Sequence, residues 1–116
     1  MPTSQLQVAR DPALALVVRI FVGAVAERWS VDGSTRDDLR LAASELFSGW
    51  VEDGEDTAVV FSMTSDDEGA VTLEADGLGG APSSRTDAWG VRIDLIRALF
   101  PQAEVGDAIR ISVPRG

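Results

Sequence analysis

Stretches with helical spacing of apolar residues follow stretches with strand spacing along this chain, and their order predicts an architecture. Leu14, Val18, Phe21, Val22, Val25 and Trp29 recur at three- and four-residue steps, which predicts a helix over about 12–29. Asp11-Pro12 opens it: an aspartate caps free N–H groups, and proline at the first helical position gives up an N–H that has no partner there. Val31-Asp32-Gly33 breaks the pattern, and Ser34 or Thr35 is placed to cap a second helix reaching about residue 51. Leu39, Ala42, Ala43, Leu46 and Trp50 form its apolar stripe, and Glu52-Asp53-Gly54-Glu55-Asp56 reads as the polar turn that ends it.

The period then changes. Residues 57–64 are β-branched and apolar, Ser65-Asp66-Asp67-Glu68-Gly69 is a turn, and 70–75 alternates as a returning strand. A loop dense in Gly, Pro and Ser spans 77–89, and a third helix over 90–100 is stopped by Pro101. A hairpin around Gly106-Asp107 joins strands at 103–105 and 108–113, and 5–8 adds an edge strand. The order β-α-α-β-β-α-β-β implies an α/β two-layer sandwich, with helices on one face of a mixed, mostly antiparallel sheet. A chain of 116 residues is expected to form a single domain over 1–116.

Composition removes several chemistries. With no cysteine and no histidine, thiolate chemistry, disulfides and imidazole general bases are excluded, and acid–base work would fall to carboxylates. A net charge of −9 opposes nucleic acid and favours a protein partner with a basic surface, or serves only solubility. The apolar stretch 13–26 superficially resembles a signal peptide. Asp11-Pro12 at its start and Arg19 within it favour a helix of the folded domain, too short to span a bilayer, and so a cytoplasmic protein with no membrane association.

Three segments carry candidate chemistry: Leu41-Ala42-Ala43-Ser44-Glu45-Leu46-Phe47-Ser48-Gly49-Trp50, Glu74-Ala75-Asp76-Gly77-Leu78-Gly79-Gly80, and Asp87-Ala88-Trp89-Gly90-Val91-Arg92-Ile93-Asp94-Leu95-Ile96. In order and spacing they resemble the nucleotide pocket of the GHKL (histidine-kinase-like) ATPase superfamily, in its anti-sigma-factor serine kinase branch. The resemblance covers nearly the whole chain and implies that family's fold. It sets Glu45 at the glutamate that polarises the attacking group, and Gly49 where the family has the asparagine that holds Mg²⁺. It sets Ala75 at the aspartate that accepts from the adenine amino group, Gly77 and Gly79 at the glycines of the following turn, and Gly90 at one of the lid glycines, the other being Ala88. Strand alternation turns Ala75 inward and Asp76 outward, so Asp76 replaces the missing aspartate only if a bulge brings it round.

Without the resemblance, Glu45 reads as a solvated glutamate, the glycines as a loop, Arg85 as a surface arginine, and Trp29, Trp50 and Trp89 as core or pocket-filling aromatics. With it, the missing Asn and Asp remove the main electrostatic contribution to phosphoryl transfer and imply a degenerate site. The expectation is a non-catalytic anti-sigma-factor-like regulatory domain with no cofactor, binding a sigma factor or an anti-sigma antagonist. The alternative is an ATP- and Mg²⁺-dependent serine-protein kinase acting through Glu45; a third reading is a sensor with another ligand in a pocket that Gly49 and Ala75 enlarge. The first helix also has a second apolar strip, Leu16 and Ile20 beside Ala13 and Ala24. That strip implies partner docking or a homodimer, unless the N-terminal segment folds over it.

Overall fold

The computed structural model describes residues 2–79 and 87–115. In chain order it contains β1 (Thr3–Val8), a 3₁₀ turn (Pro12–Leu14), α1 (Ala15–Arg28), α2 (Gly33–Asp53), β2 (Val59–Ser65), β3 (Ala70–Gly77), α3 (Asp87–Leu99), β4 (Glu104–Val105) and β5 (Ala108–Pro114). The expected order of elements is the observed one. The strands form one sheet in the order β1-β2-β3-β5-β4, and every pairing is antiparallel rather than mixed. The reason is topological. α3 carries the chain back so that β4 runs parallel to β3, but β5 inserts between them and pairs antiparallel with both.

Local signals set most boundaries. Asp11 accepts from the Ala13 N–H at 2.9 Å ahead of Pro12. The cap of α2 is Asp32, not Ser34 or Thr35. Its carboxylate accepts from the Ser34 N–H at 3.2 Å and the Ser34 hydroxyl at 2.7 Å, and the side-chain bond from Ser34 is foremost in holding that carboxyl below its ordinary value. α2 extends through Glu52 and Asp53 before Gly54 ends it in the left-handed conformation, φ 75°. α3 starts at Asp87, earlier than the expected residue 90, so Trp89 and Gly90 belong to its first turn.

One continuous core lies between the helices and the inner sheet face. Val59, Phe61 and Met63 of β2, Val71, Leu73 and Ala75 of β3, and Ile109, Ile111 and Val113 of β5 supply the sheet half. Val18, Val22 and Ala26 of α1 meet them one helical turn apart, with the expected stripe of α2 joined by Phe47, whose ring centroid is 6.3 Å from that of Phe61. α1 covers β1 and β2, α2 covers β3, and α3 packs against α2. The outer sheet face is polar: Thr3 meets Thr64, Gln5 donates to Ser62, and Arg110 donates to Glu74.

Arg10 joins the two layers after β1. Its side chain is almost wholly buried and donates to the Trp50 carbonyl and to Asp53, both at 3.3 Å. A guanidinium there complements the negative end of the α2 dipole. Among the described residues no helix is long and apolar enough to cross a membrane.

Candidate functional site

Glu45, Gly49 and Glu52 stand on one flank of α2, at steps of four and three, facing the start of α3. Because α3 begins early, Trp89 and Arg92 lie one turn apart and both point into this seam. Trp89 takes the space that the glycine leaves: a Cβ on Gly49 would stand 2.5 Å from Cε3 and 2.6 Å from Cζ3 of that ring. Trp89 in turn leans on Trp50, with ring centroids 5.1 Å apart and planes tilted by 58°. Trp50 is fully buried and its indole lies against Gly77, where a Cβ would fall 2.0 Å from Nε1. Two glycines of the motif are therefore explained by close approach of tryptophan rings.

Glu45 is 30% exposed and ion-paired rather than free in solvent. The Arg92 guanidinium donates from Nη1 to the Glu45 carboxylate and from Nη2 to Glu52 at 2.6 Å. The Arg92 side chain is 19% exposed, and its Nε is buried with no partner among the described residues.

The remaining motif positions separate. Ala75 is fully buried on the inner face of β3, as alternation requires. Asp76 does not join it: the ladder runs without a bulge, Asp76 pairing with Val60 on one side and Ala108 on the other. Asp76 stays on the outer face with Glu74. Gly79 lies under the Glu55 carboxylate, with Oε2 2.2 Å from where a Cβ would be. Among the described residues nothing lies within 4 Å of where a Cβ on Gly90 would stand. Arg85 and the rest of 80–86 lie outside the described residues.

Sequence reasoning missed Arg92 and Glu52. Their signal was present, in two glutamates seven residues apart on one helix flank and an arginine one turn into the next helix, but nothing local says that the two helices meet. The pocket enlarged by Gly49 is not observed, because Trp89 fills that space. A cleft of about 330 Å³ lies elsewhere, between Thr35 and Asp38 of α2, residues 99–103 and β5.

Among the described residues the seam is occupied by side chains of α3. The position given to the metal-holding side chain is filled by an aromatic ring, and the glutamate is paired with an arginine. Among the described residues no group of three acidic side chains is placed to hold a metal ion. Away from the seam, Leu16 and Ile20 of α1 are 56% and 60% exposed, and Leu41 of α2 is exposed as well. The N-terminal segment forms β1 and leaves this crest uncovered. The chain matches no family model and no curated protein sequence.

Proposed function

We propose that this chain is a non-catalytic regulatory domain of the histidine-kinase-like ATPase fold, similar to an anti-sigma factor in shape, acting by binding a protein such as a sigma factor or an anti-sigma antagonist. The observation that carries the reading is the filled seam, with Trp89 against Gly49, Trp50 against Gly77, and Arg92 on Glu45. Arg92 holds Glu45 and Trp89 occupies the space beside Gly49, so a ligand would have to displace both side chains. Binding falls instead to the exposed crest of α1, Leu16 and Ile20, while the net charge of −9 steers a basic partner toward the molecule.

Calorimetric titration with ATP, with and without Mg²⁺, tests this directly. The expected result is no heat of binding below millimolar nucleotide. Micromolar, Mg²⁺-dependent binding would sink the reading and favour the ATP-dependent serine-protein kinase, with Glu45 released from Arg92 on binding.

A further inference from the structure

Toward β5 the helical layer thins, because α1 covers β1 and β2 while α2 covers β3. α3 ends at Leu99, and Pro101, which cannot continue a helix, turns the chain toward β4. The turn is fixed by its own backbone. The Phe100 N–H donates to the Ile96 carbonyl at 2.8 Å, and the Ala103 N–H donates to the Phe100 carbonyl at 3.0 Å. Between this turn, the first turns of α2 and β5 lies the cleft of about 330 Å³.

Its walls are mostly apolar. Leu99, Phe100, Pro101 and Ala103 line it from the turn, and Ile111 and Val113 line it from the sheet. Thr35 and Asp38, one turn apart on α2, bring polar side chains to it. Both are half-buried. Asp37 pairs with Arg40, whereas the Asp38 carboxylate has no ion pair or hydrogen bond among the described residues.

The phase of the ladder adds a backbone group. The Gly106 N–H donates to the Ala108 carbonyl across the hairpin at 3.1 Å, and the Arg115 N–H donates to the Gly69 carbonyl beside β3 at 2.8 Å. Backbone polar groups alternate sides along a strand, so Ile109, Ile111 and Val113 turn theirs toward β3. Ala108, Arg110 and Ser112 turn theirs toward β4. The last β4 pair is Glu104 with Arg110, so Ser112 lies beyond it and turns its N–H and C=O to the edge at which it lines the cleft.

These groups select a ligand chemistry. Anions are opposed by Asp38 and by the net charge of −9. A neutral apolar molecule would strip water from the carboxylate and return no bond. An ammonium or amidinium gives Asp38 a charge-assisted partner and can donate to the Ser112 carbonyl as well. The apolar walls ask for a hydrocarbon body behind that head. At about 330 Å³ the cleft is at the small end for ligand sites, suited to a single ring on a short arm rather than a larger molecule.

We propose that this cleft is a binding site for a small organic amine, its cationic nitrogen held by Asp38 and the Ser112 carbonyl and its ring or short chain held against Leu99 and Phe100. The site uses neither the α2–α3 seam nor the Leu16–Ile20 crest, so it and the proposed function fail separately.

Phenethylamine is the probe, followed through the backbone amide signals of the folded chain by solution NMR. Saturable binding at ~1 mM or tighter is expected, with shifts centred on 35–38, 99–103 and 111–113. Phenylacetate and phenethyl alcohol keep the ring and lose the cation, and methylamine keeps the cation and loses the ring; each is expected to bind ~10-fold more weakly or worse. Asp38→Asn keeps the shape and removes the charge, and a loss of ~10-fold or more is expected. Thr35→Lys sets a competing ammonium one turn from Asp38 and is expected to do the same. A thermal midpoint near that of the wild type shows that each variant is folded, and the ligand series on the wild type stands without them. No saturable shift at ~10 mM phenethylamine overturns the proposal. So do shifts centred on the α2–α3 seam, or methylamine binding as well as the probe. Folded variants that bind undiminished would reduce the effect to bulk charge and overturn it too. Tighter binding of N-acetyl-lysine amide than of phenethylamine would give the cleft to a side chain of a basic protein instead.

Discussion

The α2–α3 seam and the α1 flank use similar materials to opposite ends. In the seam, missing side chains at Gly49 and Gly77 admit two tryptophan rings, and Arg92 pairs with two glutamates across the helix pair. On α1, apolar side chains of comparable size are left uncovered, with Leu16 and Ile20 more than half exposed. The segment that looks most like a reactive site is thus filled by tryptophan rings and an ion pair. The segment with no catalytic chemistry carries the exposed apolar side chains.

Restoring the residues that the resemblance calls for is the severest way to break this contrast. Gly49→Asn with Ala75→Asp drives a side chain into Trp89 and places a carboxylate on the buried face of β3. The expected cost is ~4 kcal/mol or more, with no gain of ATP binding, measured by urea denaturation and calorimetry. A folded variant that binds nucleotide would mean that the seam opens readily and that the two regions do not differ in kind.

Gly77→Ala probes the closed side with one methyl group. Trp50 is buried on every side, so its indole has little room to yield, and overpacking is expected to cost about 3 kcal/mol, at the upper end of such effects. Thermal unfolding should drop by about 10 °C for a domain of this size. An unchanged midpoint would show that the ring moves freely. Arg92→Met keeps the stem and removes the charge from a partly exposed network. About 1 kcal/mol is expected after solvent screening, shrinking as salt is raised. A loss that is the same at low and high salt would assign the role of Arg92 to packing.

The smallest effect belongs to the open side. Leu16→Glu with Ile20→Glu should change stability by no more than ~0.5 kcal/mol, because neither side chain is buried in the free chain. Cooperative unfolding near the wild-type midpoint checks it. Unfolding of this variant would place the crest in the core and remove it as a docking surface.

Much of the layout was legible without coordinates. Helical spacing in α1 and α2 and alternation in β2, β3 and β5 are local patterns, and Asp11-Pro12, Gly54 and Pro101 mark ends by their own backbone chemistry. The misreadings were at ends that depend on competition between neighbours. Asp32 reaches the free N–H of Ser34 and so takes the cap from it, and α3 begins before the glycine assigned to open it. The outward direction of Asp76 was also legible, since an unbroken ladder leaves side-chain parity unchanged.

Periodicity and capping act within a few residues, so the order of the elements and most inward positions, Val18 and Val22 but not Ala26 or Phe47, are readable from the chain alone. What the inward and outward faces meet follows from how the elements pack. That Trp89 fills the space beside Gly49 and that Arg92 claims Glu45 are consequences of packing between segments distant in the chain. No local pattern encodes which distant side chain will occupy the volume that a glycine leaves empty.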